Sequence, residues 1–319
     1  MKLTLCSTIL AVMRPVTRLL HRACTRSSRS LPSWTSQAHV MPERRRVPRV
    51  IWSYWHTREL PPVVAACVAN WRRHAPDYDI RVLHPGVIAE ALDGQPMPES
   101  FDTWAAYRQA DWLRVALVGR HGGLWMDASL FLTRSPDWLL ALATRKRGLS
   151  GFHLHAGNAA ATAAPGTWPF LENWCFAAPP GDRFVLAWES ELRHALALGE
   201  ATYLAGLGPA RDELLSGINS PRYLVMHVAA RVVMRRDGPF NIHLLPAQDR
   251  AYFYQSRTGW RRWRLMLALM GWGRRQDTPL VKLRSAERDR LGRQCAHARP
   301  LPGSVVADEL PELAASSRA

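Results

Sequence analysis

The chain is poor in the features that settle a protein's class quickly. Its 319 residues include five cysteines (6, 24, 67, 175 and 295), scattered singly and never paired as Cys-x-x-Cys. An odd, dispersed set of thiols supports neither a disulfide framework nor a zinc site, and it suits a reducing compartment. No run of about 18 apolar residues occurs, so no segment reads as a membrane-spanning helix. The phosphate loop Gly-x-x-x-x-Gly-Lys-Ser/Thr, the elbow Gly-x-Ser-x-Gly and the helix His-Glu-x-x-His are missing, which removes the usual support for ATPase, serine hydrolase and zinc protease chemistry. No internal repeat is found. Acid is absent from residues 1–42, which carry six basic residues.

What is abundant is basic charge, and its location matters more than its total of +16. Ten Lys/Arg stand against one acid across residues 1–49, and eleven against three across 257–293, whereas 50–256 balance at nineteen against nineteen. A neutral core with basic flanks suggests contact with an anionic surface. The flanks lack a nucleic-acid-reading motif, so no nucleic-acid partner is expected. Residues 1–46 read as a disordered basic segment: Leu3–Met13 resembles the apolar part of a signal peptide, but Arg14 follows and no cleavage site is evident. A transit peptide shares this composition, and so does an over-extended start, with Met13 or Met41 the true beginning. In 257–293, eight mostly apolar residues (265–272) lie between arginine clusters with tryptophans at both ends. That pattern suits a membrane-associating extension lying in the interface plane. Residues 294–319 read as a flexible tail. The expected location is cytoplasmic, peripheral at the inner face of the plasma membrane.

Between the flanks, 47–256 read as one folded domain. Val50–Tyr54 is a β-rich run, Pro61-Pro62 opens a helix to about Arg73, and Ile80–Leu83 is a second strand. A helix over 103–120 ends at Gly122-Gly123, and Leu124–Met126 is a buried strand. Strand, helix, strand, helix, strand in this order implies an α/β fold with a mostly parallel central sheet flanked by helices. A Pro/Gly/Ala-rich stretch over 156–181 reads as loops, followed by a helix near 182–199. Trp71, Trp104 and Trp112 fall at helical core spacing and read as packing.

The run Tyr107–Ser129 carries the chemistry. Ligands of open α/β sheets bind at the carboxyl ends of strands, where Asp127 stands. Arg108, Asp111 and Arg114 are spaced three apart and share one helical face behind it. A strand-end carboxylate suits a divalent cation bridging a diphosphate, because Mg²⁺ and Mn²⁺ prefer oxygen ligands; a loop-capping aspartate is the plainer alternative. His153 and His155 share a face if they lie on a strand, and fit either an acceptor or metal contact or satisfied core histidines.

The series Arg108, Asp111, Arg114, Gly122-Gly123, Trp125 and Asp127 resembles the signature of capsular-polysaccharide-synthesis-type glycosyltransferases. These are related to the wider group of DXD-containing sugar transferases. Pro48–His56 is similar to that group's first strand, which ends in an aromatic residue. The resemblance implies a GT-A type nucleotide-diphosphosugar transferase fold. The implied activity moves a hexose from a nucleotide sugar to a hydroxyl of a cell-surface polysaccharide or lipid-linked glycan, with retention of configuration. It also implies that Trp55 stacks on the base, that Arg108, Asp111 and Arg114 hold the donor, and that Trp125 lines the nucleotide pocket. Asp127 would be the catalytic first acid of the DXD motif and, with Ser129, a ligand of Mn²⁺ or Mg²⁺. Ser129 departs from the second Asp of the pattern, so Asp249 or another late residue would complete the site. Asn158 and His155 would lie on the acceptor side. A catalytically inactive membrane-surface or scaffold protein that keeps the fold is the alternative.

Overall fold

The structure is a computed structural model describing residues 31–154, 168–272 and 278–315. Val50–Tyr54 (β2) is buried over its last four residues, as a strand covered by helices on both faces must be. The other strands are β1 (Trp34–Ser36), β3 (Asp79–Leu83), β4 (Gly123–Met126), β5 (Leu130–Leu132), β6 (Leu149–Leu154), β7 (Phe170–Ala178), β8 (Ile242–Pro246) and β9 (Leu280–Lys282). Seven of them form one sheet in the order β1-β8-β6-β7-β4-β2-β3, and β5 pairs with β9 apart from it. β2 runs parallel to β3 and β4, and β6 parallel to β8. β7 is antiparallel to both β4 and β6, and β1 to β8. β2, β3, β4, β6 and β8 therefore share one direction, and the sheet is mainly parallel, as expected. The expected loops over 156–181 are corrected by β7, a strand with buried Leu171, Trp174, Cys175 and Phe176 at the sheet's centre.

Seven described helices have ten or more residues: α1 (Pro62–His74), α2 (Ala106–His121), α3 (Asp137–Lys146), α4 (Arg183–Leu198), α5 (Val225–Asp237), α6 (Arg262–Gly271) and α7 (Ser285–Cys295). Strand alternation sends Trp125 to one core with Trp112, Trp188 and Met226 of α2, α4 and α5. Leu124 and Met126 point the other way, to Trp71 of α1 and Leu139 of α3. Trp71 and Trp112 are fully buried and Trp104 packs on the first core, so all three are packing residues.

α2 enters the sheet through a turn that only glycine fits. Gly122 has φ +68°, and a Cβ there would stand 2.6 Å from Pro180 N; one on Gly123 would stand 2.8 Å from Val50 O. Trp52 Nε1 donates to Gly122 O at 2.9 Å and ties the turn to β2. These contacts set where β4 begins and where Asp127 emerges.

The described parts of the flanking segments, 31–46, 257–272 and 278–315, join the fold. Trp34–Ser36 adds to the sheet edge beside β8, because its backbone finds the unpaired ladder there. The boundary expected at 256 is not a structural one. Leu265, Met266, Leu269 and Met270 of α6 share one buried core with Val63, Ala66 and Cys67 of α1, with Phe131, and with Leu291 and Cys295 of α7. Each such side chain gains about 1.5–3 kcal/mol over exposure to water, and here the protein core supplies that burial. The tail 294–315 joins the same core through Val305, Val306, Leu310 and Leu313. Its Glu309 carbonyl and carboxylate accept hydrogen bonds from Asn70, and its carboxylate pairs with His74 at 2.6 Å. Cys67, Cys175 and Cys295 are free and buried.

Candidate functional site

β2 and β4 end side by side, and the residues leaving them, Tyr54-Trp55-His56 and Asp127, open one cavity of about 530 Å³. α2 contributes Tyr107, Asp111 and Arg114, β7 contributes Asn173, and α5 with its approach contributes Tyr223, Leu224 and His227. Ser129 and a group from the basic segment, Lys282, Arg284, Ser285 and Arg288, complete the wall. Four cations thus face two carboxylates, leaving an excess of two positive charges.

Asp127 sits at the centre of this balance. Its Oδ1 accepts from Trp125 Nε1 at 3.0 Å and from Arg114 Nη2 at 3.4 Å. Its Oδ2 accepts from Lys282 Nζ at 2.7 Å. Burial alone would raise this carboxyl, but Lys282 and Arg114, with hydrogen bonds from Lys282 and Trp125, hold it below its ordinary value. Asp111 is gripped from both sides, by Arg108 Nη1 at 3.0 Å and Arg114 Nη1 at 3.3 Å, and accepts from Asn173 Nδ2 at 3.1 Å. There burial prevails and pushes the carboxyl up, against the pull of Arg114 and Arg108. Burial, with Arg114 and Arg231 nearby, pushes His227 down to about 3, so this wall is neutral at physiological pH.

The structure divides the expected site residues into two groups. Trp55, Asp111, Arg114, Asp127 and Ser129 come together around the cavity. Arg108 and Trp125 do not line it. Arg108 spends its guanidinium on Asp111, Glu200 and the Arg222 carbonyl, and Trp125 is buried in β4 with its indole N–H on Asp127. Both hold the acids in place from behind. Asp249 is likewise absent from the wall; its carboxylate accepts from Leu31 N at 2.7 Å. Asn158 and His155 lie outside the described residues, and His153 is buried with Nε2 3.1 Å from Pro32 O.

The oxygens expected to hold a divalent metal are already bridged. Lys282 Nζ stands 2.7 Å from Asp127 Oδ2 and 3.0 Å from Ser129 Oγ, and that hydroxyl donates to Leu283 O at 2.9 Å. A dication about 4 Å from the ammonium would be repelled by about 8 kcal/mol at an effective dielectric near 20. It would also have to displace the ammonium from both oxygens. This donor set does not fit a divalent metal.

Sequence reasoning missed Lys282, Asn173, Tyr223, His227, Arg284 and Arg288. Lys282 carried a faint signal: it stands alone among ten arginines in 257–293, at the end of the apolar triplet Pro279-Leu-Val. β9 pairs Lys282 with Leu130, one residue after Ser129, and this register delivers the ammonium to Asp127.

The cavity, walled by tryptophan, arginine and lysine, opens outside the carboxyl ends of two parallel strands inside the sheet, where open α/β folds place their ligand sites. The chain belongs to the capsular polysaccharide synthesis protein family, whose profile matches residues 25–194, just over half of its 319 residues. A curated relative, the O-glycosyltransferase braB of Annulohypoxylon truncatum, is 26% identical over 123 residues. The match takes in 34% of this chain and 28% of that protein, so the chain spans under a third of the relative's length. Among solved structures, the PaToxG glycosyltransferase overlaps 89% of this chain and 95% of its own, at 11% identity and a TM-score of 0.36. A glycosyltransferase involved in glycosylation of the major capsid of PBCV-1 overlaps 76% and 96%, at 12% identity and a TM-score of 0.36. Overlaps this loose say nothing about individual side chains.

Proposed function

We propose that the protein is a glycosyltransferase of GT-A type, moving a hexose from a nucleotide diphosphosugar to a hydroxyl of a cell-surface polysaccharide or lipid-linked glycan. The observation that carries this reading is the excess of two positive charges in the cavity, which matches the two negative charges of a diphosphate. Trp55 stacks on the base from the wall of the cavity; Arg288 already covers one face of its ring at 5.0 Å. Arg114 and Lys282 face the phosphates. Tyr107 and Tyr223, half-exposed and 4.9 Å apart at the mouth, offer the acceptor sugar an aromatic surface.

In the transfer, the acceptor oxygen forms the new bond to the anomeric carbon as the bond from that carbon to the phosphate oxygen breaks. The electron pair leaves on the nucleoside diphosphate, and the hydroxyl proton passes to the departing phosphate. Retention of configuration follows if attack and departure share one face. Both cavity carboxylates are held by cations, which argues against either one forming a covalent sugar intermediate. The acceptor is brought by the membrane. Trp263 is half-exposed beside Arg261, Arg262 and Arg264, and this edge of α6 touches anionic lipid although its apolar face is buried.

The test is a thermal-shift and nucleotide-release screen of UDP-, GDP- and CMP-sugars on the full chain. At least one should raise the melting temperature and yield free nucleotide; stabilisation by none of them rejects the transferase. Vesicle flotation reports separately on the membrane contact, which is rejected if Trp263→Ala binds anionic vesicles as well as wild type.

A further inference from the structure

We infer that Lys282 takes the place of a divalent cation in this site, so that donor binding and transfer need no metal. The inference rests on the transferase reading above and deepens it. A metal in such a site would link a strand-end acid to the diphosphate and neutralise charge as the nucleotide departs. Lys282 already makes the first of these links, since its ammonium bonds Asp127 Oδ2 and Ser129 Oγ, at 2.7 and 3.0 Å. An ammonium has three N–H donors. Two are spent on these oxygens, and the third has no partner among the described residues, on a side chain that lines the cavity.

Ser129 fits this arrangement better than a second acid would. A carboxylate there would add a negative charge and leave the ammonium surrounded by acids, with little positive field left for a phosphate. The serine hydroxyl accepts from Lys282 and donates its own proton to Leu283 O, orienting the ammonium without neutralising it. Asp127 then acts as the positioning acid for Lys282 and Arg114, and the phosphates meet fixed N–H donors. Backbone register holds the device together, through Leu130 opposite Lys282 and Leu283 N donating to Ser129 O at 3.0 Å.

UDP and GDP are titrated into the full chain by calorimetry, in excess EDTA and again with MnCl₂. In a parallel arm, MnCl₂ alone is titrated and free Mn²⁺ is followed by its paramagnetic resonance signal. Whichever nucleotide binds should do so with the same Kd, within about twofold, in both buffers. Lys282→Met should weaken it at least about tenfold with no rescue by Mn²⁺, whereas Lys282→Arg keeps part of the affinity. The Mn²⁺ arm should show no uptake by wild type. Nucleotide binding that is lost in EDTA and restored by Mn²⁺, or Mn²⁺ uptake that Asp127→Ala removes, overturns the inference. The wild-type arms decide this even if Lys282→Met does not fold. If neither nucleotide binds in any buffer and the sugar-nucleotide screen is also negative, the transferase reading falls. Mn²⁺ uptake alone then decides whether the Asp127 position takes a metal.

Discussion

Asp127→Asn should destabilise the protein at neutral pH, and the loss should shrink on acidification. The carboxylate has donors on both oxygens: Trp125 and Arg114 on Oδ1, Lys282 on Oδ2. An asparagine keeps the shape but has one accepting oxygen. If that oxygen faces Trp125 and Arg114, its amide N–H points at the ammonium; if it faces Lys282, the amide points at the indole and guanidinium. Either way a donor meets a donor, Lys282 loses its counter-charge, and Arg114 keeps only Asp111. Removing one partner of a fully buried pair costs about 3–5 kcal/mol, and a side chain one quarter exposed should cost less, about 2–3 kcal/mol. For a chain of 319 residues that is a fall in Tm of roughly 3–5 °C. The pH dependence has a definite sign. A carboxyl held below its ordinary value stabilises the fold above that value, and the contribution is lost as pH falls through the folded-state pKa. Melts of wild type and variant, followed by circular dichroism from neutral to acid pH, should therefore converge towards low pH. Equal melting at neutral pH, or a gap that widens on acidification, would refute the account of how Asp127 is held.

Trp55→Ala should weaken binding of the accepted nucleotide by about 1–3 kcal/mol, roughly 5- to 150-fold, as read by calorimetry, because the base loses its stacking surface. An unchanged Kd would place the base elsewhere. Gly122→Ala should cost at least about 1–3 kcal/mol in urea unfolding, since the new Cβ meets both a positive φ and Pro180 N at 2.6 Å. Deleting 304–319 strips Val305, Val306, Leu310 and Leu313 from the core they share with α1 and α6, a loss of roughly 6–12 kcal/mol against a typical stability of about 5–15 kcal/mol. The truncated chain should be insoluble or melt far lower in a soluble-fraction and melting assay, whereas a dispensable tail would leave both unchanged.

The contrast between Asp127 and Lys282 shows what was legible in the sequence and what was not. Asp127, Asp111 and Arg114 lie on one strand–turn–helix unit, so helical spacing and a glycine pair were enough to place them together. The strands and helices between 50 and 126 were readable for the same reason: each repeats its own period over consecutive residues. Lys282 is 155 residues from the carboxylate it bonds. Only the register between β5 and β9 brings them together, and two three-residue strands leave almost no period to read. Composition then misled in a definite way. Arginines around an apolar octet look the same whether the octet meets lipid or the protein core, and the decision belongs to distant residues such as Leu291, Val305 and Val306, which share a buried core with it. A strongly basic segment beside a neutral domain is therefore not by itself an appendage. When one of its cations reaches an acid of the site, the segment completes the site's charge balance, and a missing second carboxylate upstream is the matching half of that exchange.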